Sequence, residues 1–252
     1  MSEHIVVERR ESVQVVRLAR PEKKNALTVA MYAALADALD AAAADDAVRV
    51  LVLVGSGDAF TSGNDLHDFV AAPPTGIDSP VFRFLRALVG FPKPIVAAVN
   101  GIAIGIGTTL LLHCDLVVAD ESARFHLPFI NLGLVPEAAS SLLLPQLVGH
   151  RVASELLLLG AAFDAPRARE LGIVNAVAPQ GGAERGALAM ADQLATRAPT
   201  ALRATKRLLT GDRDAVLARM QAEATLFMAQ LAGPEFAEAV AAFREKRSPR
   251  FA

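Results

Sequence analysis

A single carboxylate stands in a long apolar segment of the chain. The segment FINLGLVPEAASSLLLPQLVG covers residues 129–149, and Glu137 is the only formally charged residue between Arg124 and Arg151. An unpaired carboxylate is costly to bury, because an apolar interior disfavours its charged form and raises its pKa. A carboxyl group with a raised pKa can accept and return a proton near neutral pH. Glu137 is therefore a candidate proton carrier.

Two glycine-containing turns could supply a complementary electrostatic element. GSGDAFTSGNDLHDF (55–69) and NGIAIGIGTTLLLHCD (100–115) each follow a predicted strand and contain a segment that could start a helix. Backbone N–H groups in the first turn of a helix have no intrahelical partner and attract developing negative charge. Two such groups that converge on one oxygen would form an oxyanion hole. On spacing alone, ordinary tight turns remain the favoured interpretation of both segments.

Other polar residues near these turns are assigned structural roles. Asp65 is expected to stabilise a helix start or to accept a structural hydrogen bond, whereas Asp68 is expected to face solvent. Ser62 has no convincing base beside it, which argues against a serine-hydrolase triad. The histidines are too scattered to predict a metal site. His126 is expected to be structural, with a place in a substrate pocket as the alternative.

Alternating strands and helices must position these residues. HIVVERRESVQVVRLAR predicts two short strands, and β-branched runs bounded by turn residues predict buried strands at 48–55, 94–99 and 115–120. Helical patterns in TVAMYAALADALDAAAA and SPVFRFLRALVG lie between the first of these runs, and Thr28 is the predicted N-cap of the first helix. This alternation predicts parallel strand pairing and an α/β fold.

The second half of the chain reads differently. After about residue 140 the strand signals nearly vanish and helix-like segments follow one another to the end. We therefore predict an α/β core over residues 1–195 and a helical region over residues 196–252. AAPPTGIDSP (71–80) predicts a surface loop. The chain carries neither a dinucleotide-binding glycine turn after its first strand nor a P-loop lysine.

Composition narrows the class of protein. Of the 252 residues, 53% are hydrophobic and 21% are charged, which is typical of a folded globular chain. The formal net charge of −2 provides no global field for nucleic acid or anionic lipid. One cysteine, Cys114, excludes an internal disulfide and suits a reducing compartment. The start of the chain shows no secretory signal, and the alanine-rich composition is associated with bacterial genomes, so we expect a bacterial cytoplasmic protein.

One uncharged stretch is long enough to span a bilayer. Residues 94–114 run for 21 residues without a formal charge. Asn100-Gly101 is typical of a turn, and Gly105 and Gly107 follow soon after it. A buried strand, a glycine-rich turn and an apolar helix are therefore the favoured interpretation, and no membrane insertion is expected.

Six segments together resemble one known family. ARPEKKNALT, FTSGNDL, KPIVAAVNGIAIGIG, FHLPFINLGLVPEAASS, ELLLLGAAFDAPRARELGIVNAV and REKRSPRF are similar, in order, to segments of the crotonase (enoyl-CoA hydratase/isomerase) superfamily. The resemblance implies a spiral of ββα units, a helical C-terminal trimerisation region and acyl-CoA thioester substrates. It also implies a homotrimer or a dimer of trimers. Coenzyme A would enter as part of the substrate, with no further cofactor and no metal.

The resemblance also assigns an oxyanion hole. Its two donors would be the backbone N–H groups of Asn64 and Ile106, so the side chains at both positions can vary. Gly63 and Gly105 would keep this backbone accessible to the thioester.

Within the family, the positions of the catalytic glutamates distinguish hydratases from isomerases. Hydratases of the superfamily carry two glutamates around the substrate double bond, and the corresponding positions here are Thr109 and Phe129. Glu137 lies eight residues after Phe129, where the peroxisomal-type Δ3,Δ2-enoyl-CoA isomerases place their single glutamate downstream of an SGNDL segment. The resemblance therefore implies isomerisation, with Glu137 moving one proton from C2 to C4.

The remaining substrate contacts also come from the resemblance. Arg20, Lys23 and Lys24 precede NALT, a segment that in the family lies against coenzyme A, and Lys246 could reach the nucleotide of its own or a neighbouring subunit. A merely solvated role is at least as plausible for each of these cations. Positions assigned to substrate binding besides the two glycines are Lys23, Ala26, Leu27, Ser62, Thr109, Phe129 and Lys246.

Three rival functions stay open. The first rival is hydration of an enoyl-CoA. The second is another crotonase-fold reaction, namely thioester hydrolysis or isomerisation of a dienoyl or ring substrate. These reactions use the same oxyanion hole as the isomerase, so the sequence separates them only through the positions of the acids. A non-catalytic relative that binds acyl-CoA or RNA is the third, although the near-neutral charge argues against RNA.

Overall fold

The computed structural model describes residues 2–71, 76 and 78–251. The predicted surface loop at 71–80 falls in part on residues 72–75 and 77, which lie outside the described residues. The strands are β1 (Ile5–Arg10), β2 (Val13–Leu18), β3 (Val50–Gly55), β4 (Ala59–Thr61), β5 (Ile95–Val99), β6 (Ile102–Ile104), β7 (Leu116–Asp120), β8 (Arg124–His126), β9 (Phe163–Asp164) and β10 (Ala176–Ala178).

The α-helices follow the same chain order. They are α1 (Val29–Ala44), α2 (Leu66–Ala71), α3 (Pro80–Gly90), α4 (Ile106–Thr109), α5 (Ser140–Val148), α6 (His150–Leu158), α7 (Ala165–Glu170), α8 (Ala183–Ala195), α9 (Pro199–Leu209), α10 (Arg213–Leu231) and α11 (Pro234–Glu245).

Two sheets form the core, and the chain passes between them repeatedly. The first sheet has the order β1-β2-β3-β5-β7-β10, in which only the β1–β2 pair is antiparallel. The second has the order β4-β6-β8-β9, with β4, β6 and β8 parallel. Successive strands β3 to β8 alternate between the sheets, and helices separate the pairs. This spiral of ββα units confirms the predicted α/β fold.

The central strands β3, β5 and β7 of the first sheet are buried on both faces, as their continuous apolar runs predict. On one face Val50, Val52 and Val96 pack against the alanines of α8. On the other face Leu51 and Leu53 pack in the main core with α1 and α3. Because neighbouring residues of a strand point to opposite faces, VLVLV places apolar side chains in both layers.

Helix α1 begins where the sequence predicts it. The Thr28 hydroxyl accepts a hydrogen bond from the Met31 N–H at 3.2 Å, so the predicted N-cap is confirmed. Asp68 adds a second acceptor, because its Oδ2 accepts from the Val29 N–H at 2.6 Å. The expectation that Asp68 faces solvent is therefore wrong: its carboxylate stabilises the start of α1.

The uncharged stretch at 94–114 is divided into several elements. It contains β5, β6, α4 and a 3₁₀ turn at Leu110–His113. Among the described residues, no helix has both the length and the apolar character that crossing a membrane requires.

The C-terminal part is helical, with α10 folded back onto the core. Helix α10 packs against α3 and α5, and α11 packs against α10 and the 3₁₀ turn at Ile130–Leu132. The division at residue 195 stays a prediction. The contact of α10 with α5 matters for the site, because Glu137 lies just before α5.

Candidate active site

The two glycine turns meet at one edge of the second sheet. Strands β4 and β6 are parallel neighbours with Thr61 opposite Ala103, so the turns that follow them leave the sheet side by side. Gly63 has φ 92°, and a Cβ added to it would lie 2.9 Å from the Ile104 carbonyl oxygen. Only glycine allows this approach of the two backbones.

The Asn64 N–H points away from the strand that pairs with it. Leu27 donates its N–H to the Gly63 carbonyl at 2.8 Å and accepts from the Asp65 N–H at 2.9 Å. In this parallel bridge the hydrogen bonds use the residues on either side of Asn64. The Asn64 N–H is thus directed to the opposite side and has no acceptor in the described part of the chain.

The second turn exposes the N–H group of Ile106 at the start of α4. Gly105 precedes it with φ 56° and ψ −117°, a conformation that favours glycine. The Gly105 carbonyl accepts from the N–H groups of Thr108 and Thr109 at 2.9 and 3.0 Å, which closes the helical turn. The Ile106 N–H belongs to the first turn and finds no acceptor among the described residues. A Cβ on Gly105 would meet open space, so this backbone is accessible.

Glu137 is buried in an apolar cavity beside the core. Its exposed fraction is 9%, and the cavity is lined mostly by apolar side chains of α2, α3 and α10, among them Phe69, Leu85 and Phe227. Burial, assisted by the charge of Glu223, raises the pKa of Glu137 from 4.5 to about 8. This is the behaviour that its isolation in the sequence predicts.

Tyr32 connects the base to the first glycine turn. Its phenol, on α1, donates a hydrogen bond to the Asn64 Oδ1 at 2.5 Å. Burial, together with the negative charge of Glu137, raises the pKa of Tyr32 well above its ordinary value. The phenol therefore lies within electrostatic range of Glu137 while it orients the side-chain amide of Asn64. The candidate base and the first oxyanion donor belong to one site.

A family model described as "Enoyl-CoA hydratase/isomerase" matches residues 8–252. The chain belongs to the enoyl-CoA hydratase/isomerase family. Family membership makes the chain an acyl-CoA enzyme of this family. The grouping of Glu137 with both N–H groups in one catalytic site stays a prediction.

Relatives in this family carry names of both reaction types. The 2,3-dehydroadipyl-CoA hydratase of Escherichia coli (strain K12) is 37% identical over 100% of this chain and 99% of its own. The human enoyl-CoA delta isomerase 2 is 34% identical over 98% of this chain and 64% of its own. A crystal structure of an enoyl-CoA hydratase/isomerase from Pseudoalteromonas atlantica T6c is 47% identical, covers 99% of this chain and 100% of its own, and has a TM-score of 0.95.

The positions that hold the two hydratase glutamates, by the resemblance to this family, carry no acid here. Thr109 is fully buried, and its hydroxyl has no hydrogen-bond partner among the described residues. Phe129 is buried and precedes the 3₁₀ turn at Ile130–Leu132. Neither residue lines the cavity next to Glu137. Their assignment to substrate binding stays a prediction.

Most predicted coenzyme A contacts lie beside the first glycine turn. Leu27 bonds to Gly63 as described above, and the Ser62 hydroxyl donates to the Lys23 carbonyl at 3.4 Å. Ala26 is half-buried within the same segment. The exposed Lys246 follows α11, and no hydrogen bond or ion pair in the described ranges joins it to this segment. The structure brings the first four together, and the place of Lys246 in substrate binding stays a prediction.

The cations that precede this segment differ in whether they form ion pairs. Arg20 donates to the Asp65 carboxylate at 2.7 Å, and Lys24 pairs with Asp58 at 2.5 Å. Burial opposes ionisation of Asp65, but hydrogen bonds from Arg20 and from backbone N–H groups outweigh it and lower the pKa. Lys23 is exposed and makes no ion pair within the described part of the chain.

Asp65 and His126, which the sequence predicts to be structural, both make hydrogen bonds to the backbone. Asp65 accepts from the N–H groups of His67 and Asp68, at 3.1 and 3.3 Å, at the start of α2. His126 lies 2.8 Å from the Gly160 carbonyl through its Nε2. Because a carbonyl can only accept, Nε2 carries the proton and the histidine has a structural role.

One acid beside the site escapes sequence reasoning altogether. Glu223, on α10, lines the same cavity as Glu137 and is 5% exposed. Its carboxylate accepts from the Ala139 N–H at 2.6 Å and the Ser141 N–H at 2.9 Å. The only sequence signal is an acid inside a long helix, AEATLF, with nothing to connect it to residue 137.

Proposed function

We propose that the protein is a Δ3-to-Δ2 enoyl-CoA isomerase in which Glu137 is the single proton shuttle. The observation that carries this proposal is the burial of the Glu137 carboxyl in an apolar cavity, which raises its pKa to about 8. In its ionised form Glu137 takes a proton from C2 of a 3-enoyl thioester. The electrons form a dienolate, and the Glu137 carboxyl returns the same proton at C4 to give the conjugated 2-enoyl thioester.

The oxyanion hole supports the intermediate of this reaction. Negative charge moves to the thioester oxygen as the proton leaves C2, and the N–H groups of Asn64 and Ile106 are suited to stabilise it. Fixed donors in a water-poor site do this without reorganisation. Gly63 and Gly105 let the thioester approach the backbone. The reaction needs no cofactor, because the proton lost at C2 is regained at C4.

The placement of acids favours one-proton chemistry over hydration. Hydration needs one group to activate water and another to deliver a proton. Thr109 and Phe129 can do neither. Glu223 is close to Glu137, but each of its oxygens accepts from a backbone N–H. We therefore assign Glu223 to holding these amides and not to the second acid of a hydratase pair.

Substrate entry requires the cavity wall to open. The cavity beside Glu137 has a volume of about 20 Å³, enough for one water molecule but not for an acyl chain. Its wall contains Phe69 on α2, Leu85 on α3 and Phe227 on α10, so these helices must separate when the acyl group enters. We expect Lys23 to be the cation nearest the coenzyme A phosphates, because its ammonium group makes no ion pair with any described residue.

We also propose that the active protein is a homotrimer or a dimer of trimers. Exposed leucines support this proposal: Leu208 and Leu209 at the end of α9 are 80% and 81% exposed, and Leu158 and Leu159 at the end of α6 are 67% and 69% exposed. Exposed apolar side chains of this size are typical of surfaces covered in an assembly.

Absorbance of the conjugated thioester tests the reaction. The purified protein is mixed with trans-3-hexenoyl-CoA and, separately, with crotonyl-CoA. We expect absorbance to rise with the first substrate and to change little with the second. Rapid loss of crotonyl-CoA would show a hydratase and contradict the inference drawn from Thr109 and Phe129.

A matched pair of variants tests the shuttle. Glu137→Gln keeps the shape of the side chain but removes the base, so turnover should fall at least about a hundredfold while acyl-CoA binding persists. Glu155→Gln makes the same chemical change at an exposed position on α6 and should behave as the unmodified protein. Equal activity of Glu137→Gln and the unmodified protein excludes Glu137 as the shuttle.

A further inference from the structure

The backbone directly after Glu137 has an unusual conformation. Ala138 and Ala139 have φ angles of 59° and 56°, in the left-handed region that residues with a Cβ rarely adopt. Two such residues in succession persist only where surrounding groups hold them. Glu137 is joined to this pair, so the direction of its side chain depends on whatever holds the Ala138–Ala139 peptide.

Side chains from two other elements hold this one peptide group. His113, at the end of the 3₁₀ turn after α4, lies 2.8 Å through its Nε2 from the Ala138 carbonyl oxygen. Burial lowers the pKa of His113 to about 4, so the ring is neutral, and the carbonyl requires that Nε2 carry the proton. On the other side the Ala139 N–H donates to Glu223 at 2.6 Å.

Glu223 also holds the start of α5. Its second oxygen accepts from the Ser141 N–H at 2.9 Å, so one carboxylate spans both amides. The Glu137 carbonyl accepts from the N–H and the hydroxyl of Ser140 at 3.0 and 2.6 Å. Glu223 lies 84 residues after Ala139. Burial raises the pKa of Glu223 above its ordinary value, whereas the hydrogen bonds from Ser141 and Ala139 and the charge of Arg219 favour its ionised form.

We infer that Glu223 is a positioning residue for the Glu137 base, acting together with His113 through the Ala138–Ala139 peptide. This inference rests on the proposed isomerase function. Without Glu223 the peptide loses its acceptor and can rotate, which redirects the Glu137 side chain. A displacement of about 1 Å at a catalytic group can cost a hundredfold in rate.

Glu223 has an electrostatic effect as well as a geometric one. The ionisable groups facing Glu137 are Glu223 from α10 and the Tyr32 phenol from α1. Arg219, one turn earlier on α10, faces Glu223 and donates to the Ser141 hydroxyl at 3.3 Å. Removal of the Glu223 charge should therefore lower the pKa of Glu137, because a like charge no longer opposes its ionisation.

Glu223→Gln is the principal test. The amide oxygen can accept from one N–H, but the NH₂ group then faces the other N–H and cannot accept from it. We expect kcat with trans-3-hexenoyl-CoA to fall at least about tenfold with little change in KM. The acid limb of the pH profile should move to lower pH. Asp214→Asn, an exposed acid on the same helix, provides the control.

Two further measurements separate positioning from general stability. His113→Phe removes the donor but keeps bulk, so it should lower kcat without moving the pH limb, because His113 is neutral throughout. Amide hydrogen exchange of the unmodified protein should show strong protection of Ala139 and Ser141, and this requires no variant. Fast exchange at both amides, or unchanged kcat and pH limb in Glu223→Gln, overturns the inference.

Failure of the proposed function gives a different pattern. If Glu137→Gln stays active, the isomerase mechanism is wrong, whatever Glu223 does. The positioning inference is then decided by the titration of Glu137 itself, followed by NMR of ¹³C-carboxyl-labelled glutamate. A Glu137 titration midpoint that does not move in Glu223→Gln overturns the inference, and a lower midpoint supports it.

Discussion

At the scale of single residues, folding and catalysis favour different forms of the Glu137 carboxyl group. Folding favours the neutral form, whereas catalysis needs the ionised form. Burial raises the pKa of Glu137 to about 8, which makes it a stronger base once ionised. The same burial makes the ionised form costly to the folded state. Activity and stability should therefore respond to pH in opposite directions.

The pH dependence of turnover follows from the ionised form of Glu137. Only the carboxylate can take the C2 proton, so kcat/KM with a 3-enoyl-CoA should rise with pH along a limb with its midpoint at about 8. Steady-state rates at saturating and limiting substrate measure this limb. A flat profile through this range would falsify the assignment of Glu137 as the base that titrates.

The pH dependence of stability has the opposite sign. The folded-state pKa of Glu137 is raised, so its contribution to stability is present below 4.5 and is lost as pH rises through about 8. At about 1.4 kcal/mol per pKa unit the loss is on the order of 5 kcal/mol. Glu137→Gln should therefore melt at least about 5 °C above the unmodified protein at alkaline pH.

Differential scanning calorimetry at acidic and alkaline pH checks this expectation. The two proteins should melt at similar temperatures in acid, where Glu137 is protonated. Glu155→Gln should show no alkaline advantage, since that carboxyl is exposed. An advantage of Glu137→Gln that is equal at both pH values would point to packing instead of charge.

Glu137 could be found from the sequence, but the group that holds it could not. The first signal is local, because an isolated acid in an apolar run predicts burial and a raised pKa without knowledge of the fold. Glu223 acquires its role only when α10 packs on α5. Nothing in the local pattern of α10 predicts that contact. The left-handed backbone at Ala138–Ala139 could not be predicted either, because neither residue is a glycine.

At the scale of elements, α4 starts at a conformation that only glycine adopts freely. Gly105→Ala places a Cβ in open space, so its effect comes from strain at φ 56° and ψ −117° and not from a clash. The strain should turn the Ile106 N–H away from the thioester oxygen. We expect kcat to fall by roughly one to two orders of magnitude while the protein stays folded.

Gly90→Ala is the matched control for that change. Gly90 ends α3 with open space around its added Cβ and without a left-handed φ. It should leave kcat unchanged and slightly raise the melting temperature, since alanine reduces the freedom of the unfolded chain. Equal kcat for the Gly105→Ala and unmodified proteins would exclude the Ile106 N–H as an oxyanion donor.

Elements differ in how well their sequence predicts them. The strands β1, β2, β3, β5 and β7 have five or six residues each, long enough to show a pattern. The strands β4, β6 and β8 have three residues each, too few for a periodic signal, although they position both oxyanion turns. The second sheet could therefore not be predicted from sequence patterns, and only the resemblance to the family implied it.

At the scale of the whole molecule, exposed leucines predict an assembly. Light scattering at micromolar concentration should give a mass of three or six times 26.5 kDa. The double substitution Leu208→Glu with Leu209→Glu should lower that mass and leave the fold of the single chain intact, because both side chains are exposed in it. A monomer for the unmodified protein would contradict the proposed trimer.

The hydrogen bonds from Ala139 and Ser141 to Glu223 also determine when, during synthesis and folding, the base can become ordered. During synthesis Glu137 leaves the ribosome well before α10 exists, so the peptide beside the base has no acceptor on one side. The base takes up its final direction only after residue 223 has emerged and docked. A fragment that stops short of α10 would contain Glu137 and both glycine turns without an organised base, so neither an unfinished nor a truncated chain should turn over thioesters.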